Sequence, residues 1–186
     1  MLQLDRYLLR PLRREDGEAL LAWRNSDYVR PNMFTTHRIG VEEHRNWLAS
    51  TLHDEHSHYL IFEDGTRPLG LVSFPRIDPE ARSCHWGFYM GEKQTVSSGL
   101  GTLMCYLALS KAFSDFDLEL VHGETWTFNV PAQRIHEKLG FSHDHIETRQ
   151  QDNGQKGELV CFSLSRSDWE RNKASLDEQI MRYVKR

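Results

Sequence analysis

Two glycines, Gly99 and Gly101, flank the start of an apolar run whose spacing is helical. Glycine loses more conformational freedom on folding than any other residue, so placing two of them before a helix needs a structural reason. One reason is a tight turn. Another is the close approach of a ligand to the main chain at a helix N-terminus, where unpaired N–H groups and the helix dipole attract anions. The residues predicted to form the buried face of this helix recur at helical spacing, and they are Leu100, Leu103, Met104, Leu107 and Ala108.

The order of predicted elements places this turn inside a β-α-β-α unit of a mixed sheet. Turns between a strand and a helix are where α/β proteins bind ligands. The sequence therefore predicts an α/β (α+β) fold in a single domain spanning 1–186, with its core at 6–165 and a C-terminal helix at 167–184. Strands are predicted at 6–12, 58–64, 68–74, 83–91 and 118–125 and on both sides of the hairpin turn 151–156, and the remaining helices at 14–26, 41–52 and 129–139.

The amino-acid composition argues against some classes of binding partner. Lys and Arg number 23 against 27 Asp and Glu, a formal net charge of −4 with no basic run, so nucleic acid is not an expected partner. No segment has the length and apolar character of a bilayer span, and the first residues lack the core of a signal peptide, so we expect a cytoplasmic protein with no membrane partner. Cys84, Cys105 and Cys161 are odd in number and widely separated, which indicates reduced interior residues.

Histidines cluster at His53, His56 and His58, which suggests a metal site. The cluster falls where a helix is predicted to end and a strand to begin, so no single face needs to gather the three side chains. We interpret them as surface histidines and predict no metal.

A second motif lies in NVPAQRIHEKLGF (129–141), a short predicted helix with Pro131 in its first turn. Together with the glycine turn it resembles the GNAT family of N-acetyltransferases, and the resemblance covers residues 6–165. In that family a Q/R-x-x-G-x-G/A turn binds the pyrophosphate of acetyl-coenzyme A (acetyl-CoA), and an N-x-x-A-x-x-x-Y-x-x-x-G-F helix lies beside the pantetheine arm. Here Val96 stands where the family has Gln or Arg, and His136 stands where it has Tyr.

The resemblance implies a GNAT fold, with a central mixed, mostly antiparallel sheet of about seven strands flanked by helices. It also implies a V-shaped splay between the fourth and fifth strands, 83–90 and 118–125, where pantetheine pairs with the main chain of Tyr89 and Met90. A main-chain N–H in this stretch can polarise the thioester carbonyl. The implied donor-binding set is Tyr89, Met90, Val96, Ser98, Gly99, Leu100, Gly101, Thr102, Asn129 and Ala132.

Two residues are candidates for catalysis. An amine attacks a thioester only when neutral, and a thiolate must leave, so proton transfer helps at both ends. Glu124, at the end of a predicted strand, is the expected general base, directly or through water; the alternative is a solvated charge at a strand end. His136 is the expected proton donor to the departing sulfur; the alternative is a surface histidine, with water as the acid.

The segment 23–48 is rich in arginine, histidine and aromatic residues and is expected to meet the acceptor. Arg24, Arg30, Arg38 and His44 can form an anion-binding wall, because guanidinium groups bind phosphates through paired donors. The alternative is a set of solvated surface charges.

This segment is similar to the corresponding part of the bacterial acetyltransferases of pseudaminic acid biosynthesis, which modify flagellin sugars. The shared features are the WRN sequence at 23–25, the following Met33, and a histidine three positions before the Trp-Leu pair at 47–48. That resemblance implies transfer of an acetyl group from acetyl-CoA to the 4-amino group of a UDP-linked sugar of the UDP-4-amino-4,6-dideoxy-N-acetyl-altrosamine type. Arg24 and His44 are then expected at the nucleotide phosphates. The implied acceptor set is Arg24, Arg30, Met33, His44, Ser73, Arg76 and Tyr89.

Two other functional hypotheses stay open. A non-enzymatic cofactor sensor is supported by the replacements at positions 96 and 136. A ribosomal-protein or peptide N-terminal acetyltransferase shares the LLRPL and LGF segments, and it needs acidic groups for a cationic peptide. Candidates for those groups are Glu42, Glu43, Asp54 and Glu55. The closing helix either covers the domain or joins a second copy in a homodimer.

Overall fold

The computed structural model describes residues 6–92 and 99–184, with side chains as far as Ile180. Two short 3-10 turns, Arg14–Asp16 and Arg30–Asn32, accompany the regular elements. The helices are α1 (Gly17–Arg24), α2 (Val41–Leu52), α3 (Leu100–Ser114), α4 (Val130–Lys138) and α5 (Arg166–Val184). The strands are β1 (Leu8–Pro11), β2 (His58–Glu63), β3 (Pro68–Phe74), β4 (Ser83–His85), β5 (Gly87–Met90), β6 (Leu120–Trp126), β7 (Ser142–Gln150) and β8 (Lys156–Ser165).

The strands form two four-stranded sheets with the orders β1-β2-β3-β5 and β4-β6-β8-β7. Only the β4–β6 pair is parallel among the described strands. The single strand predicted at 83–91 is therefore two strands in two sheets. Trp86 is the junction: its N–H still donates to the His122 carbonyl of β6 at 2.9 Å, and the chain then turns to pair with β3.

This junction creates the splay that the family resemblance implied. β4 pairs with β6, whereas β5 pairs only with β3, so β5 and β6 separate beyond Trp86. The mixed, mostly antiparallel α/β fold is confirmed, with eight described strands in place of the predicted number. The extra strand comes from the split at Trp86.

Helix α3 lies in the main core. Its Met104, Cys105 and Ala108 side chains are fully buried and pack with residues of both sheets. A smaller apolar cluster, which includes Leu20, joins α1 and α2 to β2 and β3. The two clusters fix the sheets on either side of the splay, so the gap between β5 and β6 has rigid walls.

The closing helix α5 packs against its own domain. Trp169, Leu176 and Ile180 are buried in the main core cluster. This observation favours the covering role among the two that the sequence left open for the apolar face of that helix.

Further predicted elements agree closely with the structure. α2 spans the predicted residues, and the strands at 58–64 and 68–74 form a hairpin. The first helix begins later than predicted, because Asp16 accepts hydrogen bonds from the Arg10 guanidinium and the Arg13 N–H and holds a 3-10 turn there. Among the described helices, none has both the length and the apolar composition needed to cross a membrane.

Candidate active site

The open edge of β5 supplies main-chain groups to the gap. The Gly91 N–H donates to the Leu69 carbonyl at 2.8 Å, and main-chain groups in an antiparallel ladder alternate in direction. The groups of Tyr89 therefore face β3, and those of Phe88 and Met90 face the gap. This geometry leaves the main chain of Met90 open for the predicted pairing and disfavours Tyr89, because β3 already uses the groups of Tyr89. Phe88 offers its main-chain groups to the gap instead.

Gly99 is the residue that orients the start of α3. It is the N-cap, with φ +76°, a left-handed conformation that other residues adopt only with strain. The Leu103 N–H donates to the Gly99 carbonyl at 3.1 Å. The N–H groups of Leu100, Gly101 and Thr102 precede this first bond, so they have no acceptor within the helix.

Gly101 has a different role. A Cβ at this position would stand 3.6 Å from Met90 Cγ and 3.5 Å from Ile135 Cδ1, which is ordinary contact distance. A methyl group therefore fits sterically, but it would protrude between β5 and α4. The absence of the side chain keeps this passage open.

The open passage is part of a cavity of about 410 Å³, which we call the helix-end cavity. Arg134 and Lys138 of α4 add cationic groups to its wall. Leu100 points into the core instead, and the predicted Val96 and Ser98 lie outside the described residues. The predicted donor-binding residues that border the helix-end cavity are Tyr89, Met90, Gly99, Gly101, Thr102, Asn129 and Ala132.

Asn129 fixes the start of α4 at the edge of this cavity. Its side-chain oxygen accepts the Ala132 N–H at 3.3 Å, as an N-cap does. The Gln133 amide donates to the main-chain carbonyls of Trp126 and Thr127 and so ties the helix to the end of β6. The motif residues Asn129 and Ala132 therefore hold α4 in place against the splay.

A second cavity of about 450 Å³, which we call the central cavity, adjoins the first. Aromatic side chains from five elements or segments line it, among them Phe34, Trp47, Tyr59 and Trp86. The two cavities share a border, so a ligand in one can reach a ligand in the other. The residues common to both are Asn32, Met33, Phe88, Tyr89, Asn129 and Ala132.

Arg24 brings a cation to the wall of the central cavity. Its Nη1 is buried and has no hydrogen-bond partner among the described residues. Burial lowers the pKa of the guanidinium, against the opposing attraction of Tyr89 and Glu43. Guanidinium groups remain protonated in proteins, so Arg24 presents an unsatisfied positive charge to whatever fills the cavity.

The rest of the predicted anion-binding wall is not assembled. Arg30 and Arg76 border neither cavity as the described residues line them, and Arg38 is exposed outside both. The Arg30 guanidinium instead donates to the Thr36 carbonyl and pairs with Asp27, because the chain turns back on itself there. The Nε of Arg30 is buried without a hydrogen-bond partner among the described residues. Phosphate binding by these three arginines stays a prediction, because the structure does not bring them to the cavity walls beside Arg24.

His44, Ser73 and Met33 do border the central cavity. The Nε2–H of His44 donates to the Gly17 carbonyl at 2.8 Å, so this ring also joins α2 to α1. Ser73 donates to the Gly87 carbonyl at 3.3 Å across the β3–β5 pair. Each of these polar groups already has a main-chain partner, which leaves Arg24 as the distinctive polar feature of that wall.

Glu124 of β6 also lines the central cavity and is mostly buried. Arg149 of β7 donates to both carboxylate oxygens, at 2.7 and 3.1 Å, and His85 Nδ1 lies 3.5 Å away. Burial opposes ionisation, but the hydrogen bonds and charge of Arg149, helped by His85 and His122, outweigh it and lower the pKa of Glu124. The carboxylate is thus ionised at neutral pH and is not the solvated surface charge of the alternative interpretation.

His136 is buried beneath the central cavity, and both of its ring nitrogens are occupied. Nδ1 lies 2.9 Å from the Ala132 carbonyl and so carries the proton, while Nε2 accepts the Trp86 indole N–H at 3.1 Å. Burial lowers the pKa of His136 to about 4, so the ring is neutral at physiological pH. The one N–H of the ring is already committed to a main-chain carbonyl, and this disfavours the predicted proton-donor role.

Gly123 makes room for this buried ring. A Cβ at position 123 would lie 2.4 Å from His136 Nε2 and 3.1 Å from Trp86 Nε1. No local sequence pattern indicates that this glycine serves the histidine, since the two belong to different elements that meet only in the fold.

A loop over the central cavity contributes residues that sequence reasoning missed. Phe34 packs edge-on against Trp126, and the Arg149 guanidinium lies 5.3 Å from the Phe34 ring centre. Asp152, at the tip of the β7–β8 hairpin, accepts the N–H groups of Thr36 and His37 at 2.8 and 3.2 Å. The Asn-Gly pair predicted the hairpin, but no pattern indicated that it reaches this loop.

One group of potential metal ligands occurs among the described residues. His145, Glu147 and Cys161 bring ligand atoms within 4.8 Å of one another on the open face of β7 and β8. Arg149 donates to the Glu147 carboxylate at 2.5 Å. A cationic side chain therefore already neutralises the acidic member of the group.

A splayed sheet, a helix N-terminus that opens beside the splay, and an adjoining cavity with an ionised carboxylate define the class of enzymes that transfer an acyl group from a coenzyme A thioester. The model of the acetyltransferase (GNAT) domain family matches residues 6–142. The chain belongs to this family. It is an acetyl-CoA-dependent N-acetyltransferase, and the hypothesis of a non-enzymatic sensor is set aside.

Similar proteins agree with this assignment. The SPbeta prophage-derived uncharacterized N-acetyltransferase YokL of Bacillus subtilis (strain 168) is 23% identical over 134 residues, covering 69% of this chain and 72% of YokL. The structure of spermidine N-acetyltransferase from Vibrio cholerae, in complex with CoA and spermine, superposes with a TM-score of 0.81 at 18% identity. That comparison covers 89% of this chain and 98% of the other, and it shows a shared fold.

Proposed function

We propose that this enzyme acetylates the primary amine of a small molecule that also carries an anionic group, and that a UDP-linked 4-amino-4,6-dideoxy sugar of pseudaminic acid biosynthesis is its acceptor. The observation that carries the proposal is the unpartnered Nη1 of Arg24 in the central cavity, which the carboxylate of Glu124 also lines. A cation and an anion that line one cavity suit a molecule with an anionic group and an amine.

The helix-end cavity suits the donor. The N–H groups at the start of α3 can bind a diphosphate, and Arg134 and Lys138 add positive charge to the same wall. The main-chain groups of Phe88 and Met90 face the gap, where an extended arm can pair with them. Acetyl-CoA bound there supplies an acetyl thioester at the border with the central cavity.

The transfer of the acetyl group releases one proton from the amine. The amine nitrogen forms a bond to the acetyl carbon and the carbon–sulfur bond breaks, which yields the acetamide and a CoA thiolate. Ionised Glu124 attracts the amine and accepts its proton through water, and then releases that proton to solvent, from which the thiolate takes up one proton. His136 does not supply it, because its one N–H is committed to the Ala132 carbonyl. The products are the N-acetylated acceptor and CoA.

Arg24 supports an anionic acceptor over a polycationic one. Polyamines such as the spermine bound by the Vibrio cholerae enzyme carry no negative group, and the buried charge of Arg24 opposes them. The peptide alternative has one supporting group, Glu43, which borders the central cavity. The other acidic candidates, Glu42, Asp54 and Glu55, lie outside that cavity as the described residues line it.

The test is CoA release, followed with a thiol reagent, across a panel of amines. The panel contains the UDP-4-amino sugar, the same amino sugar without its nucleotide, spermidine and a peptide with a free N-terminus. We expect the highest kcat/KM with the UDP-amino sugar. Preference for spermidine or the peptide contradicts the proposal. Preference for the free amino sugar contradicts the nucleotide part of it.

Arg24→Gln sharpens this test. Removal of a charged hydrogen-bond partner costs about 1.5–3 kcal/mol, so KM for the anionic acceptor should rise roughly 10- to 100-fold. KM for acetyl-CoA should stay unchanged, because Arg24 does not border the helix-end cavity. Arg38→Gln, which removes an exposed arginine outside both cavities, is the matched control and should behave as wild type. Equal acceptor KM values in the two variants contradict the role of Arg24.

A further inference from the structure

Arg149 stands apart from other surface arginines because of what its guanidinium contacts. It donates to both oxygens of Glu124, at 2.7 and 3.1 Å, and to Glu147 at 2.5 Å. Its guanidinium carbon lies 5.3 Å from the ring centre of Phe34, in the loop that covers the central cavity. One side chain thus touches the candidate catalytic carboxylate and the acceptor loop.

We propose that Arg149 is a positioning residue that holds the Glu124 carboxylate ionised and aimed at the central cavity while it supports Phe34 above the acceptor. The inference rests on the proposed role of Glu124. It adds a residue from β7, beyond the range matched by the family model.

The sheet register explains how Arg149 reaches its partner. Glu124 pairs with Cys161 of β8, and Arg149 pairs with Gly157 on the other side of the same strand. The arginine therefore extends diagonally over β8. A Cβ at Gly157 would lie 2.7 Å from the Trp126 ring, so glycine leaves the space in which Trp126 packs under Phe34.

A bidentate ion pair constrains direction as well as charge. Two parallel N–H···O bonds fix the plane of a carboxylate, which a point charge does not. Glu124 on a central strand and Arg149 on an edge strand are then held as a unit. Without the arginine, the carboxylate is free to rotate away from the central cavity.

The charge effect follows from the groups that face Glu124. They are Arg149 from β7, His85 from β4 and His122 from β6, with Glu147 beyond the arginine. Burial raises the pKa of Glu124 and Arg149 is the largest opposing influence. Loss of Arg149 therefore leaves burial to dominate, and the carboxylate takes up a proton at a higher pH.

The experiment measures kcat as a function of pH for Arg149→Gln, Arg149→Lys and Glu124→Gln, with the acceptor selected in the amine panel. For Arg149→Gln we expect kcat at neutral pH to fall roughly 10- to 100-fold and the acid limb of the profile to move up by roughly one to three pH units. KM for acetyl-CoA should not change. Arg149→Lys should move the limb part of the way back, because it restores charge without the paired geometry.

Arg82→Gln is the matched control. Arg82 makes an ion pair with Glu119 at 3.0 Å, just before the other end of β6, and both lie outside the two cavities. It should keep the wild-type profile. Thermal unfolding of each variant, monitored by circular dichroism, verifies that the protein is folded.

The outcomes separate the two proposals. If Glu124→Gln lowers kcat and Arg149→Gln leaves the acid limb where it is, the positioning role is wrong and the proposed role of Glu124 stands. If Glu124→Gln keeps wild-type kcat, the role of Glu124 is wrong and the inference is overturned with it. A shifted acid limb that Arg149→Lys partly restores supports both.

Discussion

The two cavities offer their ligands different kinds of chemical group. The helix-end cavity offers main-chain N–H groups whose direction is set by a turn at Gly99 and by the open edge of β5. The central cavity offers charged side chains, Arg24 from helix α1 and Glu124 from strand β6. Main-chain binding depends on backbone conformation and tolerates many side chains, whereas the central cavity depends on the identity of a few. A family can therefore keep one donor while its acceptors change.

The largest expected effect tests whether a buried polar group of the central cavity contributes to the stability of the fold or to turnover. His136 is neutral when folded, with a pKa of about 4 against 6.5 for the free side chain. Its stabilising effect is complete above the higher value and is lost as pH falls through the lower one. We expect the free energy of unfolding to drop by roughly 3 kcal/mol over that window because of this residue.

His136→Gln should remove that pH dependence, measured by urea unfolding across the window, with kcat at neutral pH near wild type. His145→Gln, at a mostly exposed imidazole, is the control and should keep the wild-type slope. A large loss of kcat in a folded His136→Gln protein would restore the proton-donor role and contradict a purely structural role for this ring.

The next test disturbs the backbone of the helix-end cavity. Gly99→Val forces a branched residue to φ +76°, at a cost of about 1–3 kcal/mol in stability. The N–H groups of the first turn should shift, and KM for acetyl-CoA should rise roughly 10- to 100-fold.

Gly154→Val is the matched control, because Gly154 has φ +83° and an open surrounding far along the β7–β8 hairpin. It should lose similar stability and keep the wild-type KM. If both variants raise KM equally, the turn at Gly99 has no special part in donor binding.

The smallest expected effect concerns the loop over the central cavity. His37 lies between Glu43 and Asp152, and its hydrogen bonds to them raise its pKa. Its contribution is present below the ordinary value and is lost as pH rises through the raised one. The acceptor KM should then increase at alkaline pH, by at most roughly fivefold, since exposed ion pairs are weak.

His37→Gln should show the alkaline acceptor KM at every pH, and Asp152→Asn should move KM in the same direction. His53→Gln is the control, since that ring bonds the Ala49 carbonyl of the helix that His53 caps and has no other hydrogen bond within the described part of the chain. Acceptor KM values that respond equally in His37→Gln and His53→Gln would remove the loop from acceptor binding.

The contrast between main-chain and side-chain binding also explains which features of the site can be predicted from the sequence. The turn at Gly99 and the N-cap at Asn129 are local, because their partners lie within a few residues, and patterns detect local structure. Arg149 meets Glu124 across 25 residues and Asp152 meets Thr36 across 116. No spacing rule reports such contacts, which depend on strand order and register.

The errors have the same origin. The segment 83–91 has one strand pattern, but Trp86 divides it between two sheets because its partners on either side are different strands. His136 matched a motif position, yet its chemistry is decided by Trp86 and the burial around it. The arginines at 30, 38 and 76 looked alike in sequence to Arg24, and only folding separates them from the central cavity.

The division of labour between the two cavities is tested most directly by a crystal structure of the enzyme with CoA and the UDP-amino sugar. We expect the CoA diphosphate within hydrogen-bond distance of the Gly101 and Thr102 N–H groups, and the sugar amine beside Glu124 directly or through one water. We also expect an acceptor phosphate on Arg24. A diphosphate bound elsewhere, with the start of α3 closed by packing, would contradict the assignment of the helix-end cavity to the donor.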